Sequence, residues 1–206
     1  PGMPSDGLIH VKGGTYIELP TVDATITPSL SGLKGLVGTV VDGVPQANLT
    51  GDIYIRGVAK GFTIAGFKIT ATADEPYAGI RVLNSVGTLK IEDVEITNSG
   101  TGMGLLIEGH TGAVILNRVK SSNNAHGGGF IGTTGSVTIT NSTFDWNGAN
   151  PSYYSSGIVI DTGGSVLLDG VSASNNSGNY SGLTLKTPGA ITIKNSVVNN
   201  NTNEWG

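Results

Sequence analysis

Short runs of alternating apolar and polar residues recur along the chain, and most of them begin after a glycine. The run Gly87–Asn98, with the sequence GTLKIEDVEITN, shows the alternation most clearly, and comparable runs follow Gly112, Gly135, Gly164 and Gly189. Successive side chains of a β-strand point to opposite faces, so this pattern is typical of strands with one buried face. No stretch has the apolar stripe of a helix. The pattern therefore predicts short β-strands and no helices.

The runs repeat at intervals of 23 to 29 residues, measured at the second inward residue of each strand. These inward residues are Ile64, Ile91, Leu116, Ile139, Leu168 and Ile193. A second short strand follows in each unit, as Gly79–Val82, Gly104–Ile107, Gly128–Ile131, Gly157–Ile160 and Gly182–Leu185. One unit cannot bury its own apolar face, so the units must stack, and equivalent strands then pair in parallel. The chain is therefore predicted to be an all-β, single-stranded parallel β-helix of about seven or eight coils.

Asparagines recur at one position of the repeat. They are Asn98, Asn123, Asn175 and Asn200, and Trp146 occupies the same position in the unit between. A side-chain amide has both a donor and an acceptor, so amides stacked at one corner can hydrogen-bond to each other and to the turn backbone. The spacing predicts an asparagine ladder at this corner.

The repeats resemble the right-handed parallel β-helix family, which includes pectate lyases, polygalacturonases, phage tailspikes and many bacterial surface proteins. The N-terminal third contributes Leu8–Tyr16, which is similar to an opening that such domains often show, and Gly38–Gly43 and Gly61–Phe67 resemble the next coils. The resemblance implies one right-handed β-helix domain over residues 1–206, with irregular coils over 1–60 and regular coils with the ladder over 61–206. It does not imply one activity. We expect the chain to be a segment or a subunit of a larger assembly.

Composition excludes several classes of function. The net charge is −4 and the 11 lysines and arginines are scattered, so no basic stripe for a nucleic acid is present. The chain has no cysteine, which excludes disulfides, thiol catalysis and cysteine-ligated zinc. No apolar run approaches the roughly 20 residues that a membrane-spanning helix needs, so no membrane span is expected.

Carboxylates are the candidate catalytic groups, because the resemblance implies that an enzyme of this fold would act on polysaccharides. Glu108 and Asp161 lie in one outward column, two coils apart, so they are expected about 9.6 Å apart, near the upper limit for an inverting glycosidase pair. The alternative is that these two carboxylates are ordinary solvent-exposed residues of a surface column. The sequence has no Asp-Asp doublet like that of polygalacturonases and no dense acidic cluster, so no metal site and no cofactor is expected, and calcium is not indicated.

Aromatic residues gather near the variable loop before the second strand. They are Tyr77, Phe130, Trp146, Tyr153, Tyr154 and Tyr180, and Phe130 points outward beside Leu106 and Val159. Loops of variable length on one face of a repeat protein often form its binding face, so these residues are candidates for binding a carbohydrate or another protein subunit. The alternative is that the tyrosines fill gaps between loops. The three histidines share no repeat position, and surface positions are expected for them.

Three functions remain open. The first is an extracellular or cell-surface structural or adhesive module, which the low charge and the absence of a catalytic cluster favour. The second is a polysaccharide lyase or glycosidase domain, and the third is a non-catalytic carbohydrate-binding module. The run Asn195–Asn201 offers an almost uncharged strand edge that Leu8–Val11 of another copy could meet. We therefore expect head-to-tail self-association or continuation into further coils.

Overall fold

The computed structural model describes residues 7–17, 20–23, 33–71, 78–97, 100, 102–148, 156–179 and 182–203. These residues form β-strands joined by turns. The strands are β1 (Leu8–Val11), β2 (Gly14–Ile17), β3 (Thr21–Asp23), β4 (Gly35–Gly38), β5 (Val40–Val41), β6 (Val44–Pro45), β7 (Ala47–Thr50), β8 (Ile53–Arg56), β9 (Phe62–Ala65), β10 (Phe67–Thr70), β11 (Ala78–Leu83), β12 (Leu89–Thr97), β13 (Met103–His110), β14 (Val114–Ser122), β15 (Gly127–Thr133), β16 (Val137–Thr140), β17 (Ser156–Thr162), β18 (Val166–Asp169), β19 (Ser177–Gly178), β20 (Leu183–Lys186), β21 (Ile191–Lys194) and β22 (Thr202–Asn203). No helix in this part of the chain is long and apolar enough to span a membrane.

Two stacks of parallel strands form the walls of the molecule. Sheet A contains the order β1-β4-β9-β12-β14-β16-β18-β21, and sheet B contains the order β3-β8-β11-β13-β15-β17-β20. Strands β2, β7 and β10 form a third column that continues into the second half of β12. The chain passes from one wall to the next and returns one level higher. The predicted all-β parallel β-helix is therefore confirmed, and the eight strands in the sheet A order agree with the predicted number of coils.

The interior is one continuous aliphatic core. Ile64, Ile91, Leu116, Ile139 and Leu168 pair in register from strand to strand and are completely buried. Sheet B contributes the matching column Ile55, Val82, Ile107, Ile131 and Ile160. Strand alternation places these residues on the inner face, as predicted. Ile193 continues the first column in register with Leu168, but its side chain is 49% exposed.

In six coils a single left-handed residue makes the corner of the sheet A wall, and in β12 and β14 this residue lies within the strand. These corner residues are Gly66, Asp93, Arg118, Asn141, Gly170 and Asn195, all with positive φ. In the second coil a hairpin replaces this corner: β5 and β6 pair antiparallel around Asp42 and Gly43, both with positive φ. Asp-Gly is a preferred pair for such tight hairpin turns. The hairpin projects from the wall and leaves Val41 and Val44 more than half exposed.

The asparagine ladder lies one residue after the predicted column. Asn124, Asn147, Asn176 and Asn201 form it, and each Oδ1 from Asn147 onward accepts the backbone N–H and the side-chain amide of the asparagine one coil earlier. The predicted residues Asn123, Asn175 and Asn200 are the left-handed corner residues instead, together with Trp146. Asn98 lies outside the described residues. The left-handed residue turns the chain, and the residue that follows it directs its amide into the coil.

Glycines at the start of the sheet B strands make room for this ladder. A Cβ atom on Gly104, Gly128 or Gly157 would lie 2.6 to 2.8 Å from the side-chain nitrogen of Asn124, Asn147 or Asn176, respectively. Real Cβ atoms do not approach so closely. The ladder therefore requires glycine at positions 104, 128 and 157.

Candidate functional site

The outer face of sheet B carries a continuous column of mixed apolar, aromatic and basic side chains, which we call the sheet B stripe. It consists of Thr21, Tyr54, Arg81, Leu106, Phe130, Val159 and Thr184, which pair in register from strand to strand. Parallel strands lie about 4.8 Å apart, so the seven side chains form a row along the β-helix axis. Leu106 and Phe130 are half-buried, whereas Val159 is buried.

A cation–π contact marks the N-terminal half of the sheet B stripe. The guanidinium carbon of Arg81 lies 5.3 Å from the centre of the Tyr54 ring. Such contacts attract the guanidinium cation to the electron-rich face of the ring and so orient it. Arg56, in the neighbouring outward column, approaches Asp23 at 3.9 Å. This half of the face is therefore basic and aromatic, and the half around Leu106 and Phe130 is apolar.

Glu108 and Asp161 both lie in the outward column next to the sheet B stripe. Each follows an inward isoleucine, Ile107 and Ile160, and these two isoleucines are separated by one strand of the sheet. The register between β13 and β15 shifts between Ile107 and His110, so Glu108 lies at an irregularity of the sheet and its distance from Asp161 is not fixed at two strand spacings. Glu108 is exposed.

Lys186 modifies the catalytic interpretation of this pair. Its Nζ donates to Oδ2 of Asp161 at 2.7 Å, and this hydrogen bond and the charge of Asp161 raise the pKa of Lys186. The Asp161 carboxylate is thus paired with a lysine ammonium group, whereas a general base must be able to accept a proton from a water molecule. Within the described residues, no group of three or more acidic or histidine side chains is placed to hold a metal ion.

The predicted aromatic residues are only partly placed. Phe130 lies in the sheet B stripe, whereas Trp146 lies at the left-handed corner that precedes the ladder, where 62% of its surface is exposed. Tyr77, Tyr153, Tyr154 and Tyr180 lie outside the described residues. Phe130 and Trp146 therefore belong to two different surfaces of the β-helix.

Thr21, Tyr54, Arg81 and Thr184 belong to the stripe but were not predicted as candidate binding residues. Tyr54 has a signal in the sequence, because Ile53–Arg56 has the same apolar alternation as the later second strands and pairs directly with Ile80–Leu83. The hairpin at residues 39–46 changes the spacing within this coil and hides the correspondence.

One histidine is buried, contrary to the expectation of surface histidines. His110 is 2% exposed, and its Nε2 lies 2.9 Å from the carbonyl oxygen of Gly87. Burial lowers the pKa of His110, against smaller opposing contributions from backbone hydrogen bonds. In the next coil Thr133 occupies the paired position, and its hydroxyl donates to the Gly112 carbonyl at 2.6 Å. His110 therefore acts as a structural link between coils.

A family model described as the right-handed beta helix region matches residues 78–204, which is more than half of the chain. The match covers the strands from β11 to β22 and therefore the greater part of the sheet B stripe and the whole ladder. No significant match was found among curated proteins or among solved structures.

Proposed function

Because this chain belongs to the right-handed β-helix family, which is defined by a scaffold, we propose that it is an extracellular structural or adhesive module whose coils stack end to end with further coils. The proposal rests chiefly on one observation, the apolar surface of the last described coil. The sheet B stripe would serve as the lateral contact surface of the same module.

In the last described coil, no described residue covers the inward-facing side chains. Ile191 and Ile193 are each 49% exposed, whereas the residues paired with them one coil earlier, Val166 and Leu168, are 1% and 0% exposed. Val197 and Val198 add 55% and 50% exposed surface at the next corner. Contiguous exposed apolar surface of this kind usually marks a contact site. A further coil about 4.8 Å away would cover the inward residues Ile191, Ile193 and Val198, whereas Val197 continues the outward column of Lys120, Thr143 and Ser172.

The opposite end offers a matching surface. Ile9 of β1 is the first member of the column that contains Leu36 and Ile64, and it is 38% exposed. Beside it a mainly apolar cavity of about 220 Å³ is lined by Ile9, Val11, Tyr16, Pro20, Thr21, Val22, Leu36, Leu49 and Phe67. If β21 of one copy pairs with β1 of another in the register used inside the molecule, Ile193 lies over Ile9. Such a head-to-tail contact does not close on itself and produces a filament.

Sedimentation velocity over a concentration series tests this proposal. The parent chain should form species that grow with concentration, and Ile193→Glu should abolish them because it places a charge in the contact. Thr192→Glu is the matched control, since Thr192 lies on the same strand and belongs to the outward column of Leu167. A parent chain that stays monomeric throughout, or assemblies that persist in Ile193→Glu, would overturn the proposal.

A polysaccharide-active domain is the second candidate, because Glu108 and Asp161 each follow an inward isoleucine of sheet B, on strands separated by one strand, and such a domain needs two carboxyl groups. The contact between Asp161 and Lys186 argues against it. A reducing-end assay on neutral and acidic polysaccharides decides between the two. Turnover that disappears in both Glu108→Gln and Asp161→Asn would replace the structural proposal with an enzymatic one.

A further inference from the structure

The outward column beside the sheet B stripe carries one acidic and one basic residue at each of its two ends, and we call it the charged column. It consists of Asp23, Arg56, Leu83 and Glu108 on β3, β8, β11 and β13, and of Gly132, Asp161 and Lys186 on β15, β17 and β20. Along the β-helix axis, the acidic residue precedes the basic one in both pairs. The charged column therefore has the same order of charges at its two ends.

Both pairs of charges are in contact within one copy of the chain. Nζ of Lys186 lies 2.7 Å from Oδ2 of Asp161, and Nη1 of Arg56 lies 3.9 Å from Oδ2 of Asp23. Lys186 is exposed, and Asp161 and Arg56 are half-buried. Ion pairs at the surface contribute little to the stability of a single copy. The exposed parts of these side chains can therefore approach the charges of a second surface.

The repeated order of charges makes the column complementary to a reversed copy of itself. If a second copy lies face to face on sheet B with its axis reversed, Asp23 faces Lys186 of the other copy, and Arg56 faces Asp161 of the other copy. Together with the contacts within each copy, four charges of alternating sign then form a closed ring at either end of the face. Complementary charges of this kind select one arrangement of two surfaces over others.

The sheet B stripe forms favourable pairs in the same arrangement. A two-fold axis along the strand direction, at the level of β13, reverses the order of the strands and keeps each column opposite the same column of the other copy. Leu106 then meets Leu106 at the centre, and Arg81 faces Phe130. Tyr54 faces Val159. The stripe thus supplies an apolar centre, flanked by contacts between a guanidinium and an aromatic ring.

Other placements of the second copy lose this complementarity. A shift by one strand in one direction brings Arg56 opposite Lys186, and a shift in the other direction brings Asp23 opposite Asp161. Two copies with parallel axes place Arg81 opposite Arg81. Like charges that face each other across an interface are unfavourable. The charges therefore favour the antiparallel register that has Leu106 on the two-fold axis.

Glu108 approaches Glu108 of the other copy in this register. Its side chain is exposed, and it lies where the register between β13 and β15 shifts, so the two carboxylates can turn into solvent. Their repulsion still opposes the contact. Removal of this charge should therefore strengthen the association of two copies.

A single pair of copies should associate only weakly. The face spans seven strands, about 34 Å, and is two outward columns wide, about 14 Å. These dimensions give roughly 500 Å² per copy, below the value of about 800 Å² per partner in a standard stable interface. End-to-end stacking would repeat the contact once per copy, so the successive weak contacts would act together along two filaments.

We propose that sheet B is the surface through which two stacks of this chain pair side by side in opposite directions. The partner is a second copy of the chain, in the antiparallel register that has Leu106 on the two-fold axis. This inference rests on the Proposed function, which gives the sheet B stripe the role of a lateral contact surface. The contact between one pair of copies does not require end-to-end stacking.

Cross-linking in an Ile193→Glu background measures the lateral contact without end-to-end stacking. The chain has no cysteine, so Leu106→Cys supplies a single thiol. Sheets packed face to face lie about 10 Å apart, within reach of a short bismaleimide, so this variant should give a covalent dimer near millimolar concentration. Thr184→Cys is the matched control, because its two thiols would lie about 29 Å apart, at six strand spacings. A dimer yield from Leu106→Cys no higher than that from Thr184→Cys would overturn the proposal.

An exchange of charges tests the antiparallel register. Both variants are made in the chain that carries Leu106→Cys and Ile193→Glu, and circular dichroism checks that they fold. Arg56→Glu sets two acidic residues against each other at each end of the face, and Asp161→Arg sets two basic ones. Each variant alone should give several-fold less covalent dimer, whereas an equal mixture should recover it, because opposite charges then face each other at both ends. A mixture that cross-links no better than the separate variants would contradict the register.

Glu108→Gln in the same chain should raise the yield of covalent dimer, because it removes the repulsion at the two-fold axis. A lower yield than that of the chain with Glu108 would contradict the placement of the axis.

Electron microscopy of the parent chain separates lateral pairing from end-to-end stacking. Paired filaments are expected, and Arg56→Glu should give single filaments with the same axial repeat. Single filaments of the parent chain would overturn lateral pairing and leave stacking intact. Absence of filaments, with cross-linking through Leu106→Cys retained, would overturn stacking and leave the lateral contact intact.

Discussion

The side-chain amide of Asn147 donates to Oδ1 of Asn176 at 3.1 Å, and the backbone N–H of Asn147 donates to the same oxygen at 2.9 Å. Asn147 is also the acceptor for Asn124, one coil earlier. All three residues are buried. Because a buried polar group without a partner is unfavourable, each link of the ladder fixes the level of one coil relative to the next. The ladder therefore specifies the register between neighbouring coils more strictly than the apolar core alone does.

Replacing Asn147 by Ala should lower the free energy of unfolding by about 2–4 kcal/mol, because it leaves buried donors on Asn124 without their acceptor. Urea denaturation followed by circular dichroism measures the change. Asn123→Ala is the control, since Asn123 is exposed at the corner and its replacement should lose only the left-handed preference of asparagine, about 1 kcal/mol. Equal losses of unfolding free energy in the two variants would show that a ladder asparagine stabilises the fold no more than an exposed corner asparagine does.

Adjacent glycines of β15 should respond very differently to alanine. A Cβ on Gly128 would lie 2.8 Å from the amide nitrogen of Asn147, so Gly128→Ala should destabilise the fold by about 2 kcal/mol. The nearest atom to a Cβ on Gly129 is 3.5 Å away, so Gly129→Ala should change stability by less than about 1 kcal/mol. Thermal unfolding compares the pair. A milder effect at Gly128 than at Gly129 would be inconsistent with the described packing.

His110 should make stability depend on pH. Burial lowers the folded-state pKa of His110 from the ordinary histidine value of 6.5, so the unfolded chain binds a proton more readily than the folded one. The contribution of His110 to stability is then fully present above pH 6.5 and declines as the pH falls from 6.5 toward the lowered folded pKa. Stability should therefore rise with pH across that window, with a slope no steeper than about 1.4 kcal/mol per pH unit, which is the limit for one proton.

His110→Thr is the matched variant for this titration. Thr133 shows that a threonine at the equivalent position can bond to a glycine carbonyl of the preceding coil, so the variant should fold. Denaturation at several pH values between 5 and 7.5 should give a shallower dependence for His110→Thr than for the parent. Parallel curves would assign the pH dependence to other groups, such as the carboxylates.

Trp146→Asn should raise the free energy of unfolding by about 1 kcal/mol, since asparagine suits the left-handed conformation that strains tryptophan. Chemical denaturation of the two proteins measures the difference. A loss of stability on this substitution would mean that the exposed indole makes packing interactions that outweigh its backbone strain.

The core was predictable because alternation alone decides which residues face inward. Ile91, Leu116 and Ile139 follow directly from this rule. The ladder could be located only to within one residue, because asparagine pairs such as Asn123-Asn124 fill both the corner and the following position. The unit with Trp146 and Asn147 contains the distinguishing signal, since asparagine persists only at the second position there.

The outer face of sheet B was predictable in part. Phe130, Leu106 and Val159 follow from the regular coils, as does Arg81 on the strand Gly79–Val82, whereas Tyr54 belongs to the coil that contains the hairpin. The coil spacing is in fact preserved there, since Leu36 pairs with Ile64 and Ile9 with Leu36. The hairpin lengthens one corner of this coil, and the connection from β7 to β8 is only two residues long. The distance along the sequence between the strands of this coil therefore changes, although the number of residues from one coil to the next does not.

The axial repeat of the assembled chain tests end-to-end stacking most directly. If eight sheet A strands per copy continue without a break into the next copy, electron microscopy of the assemblies should show unbranched filaments with an axial repeat of about 38 Å, which is eight strand spacings of about 4.8 Å. Ile193→Glu should give no filaments and Thr192→Glu should give the same repeat as the parent. Closed dimers, or filaments whose repeat differs from a whole number of strand spacings, would contradict the account.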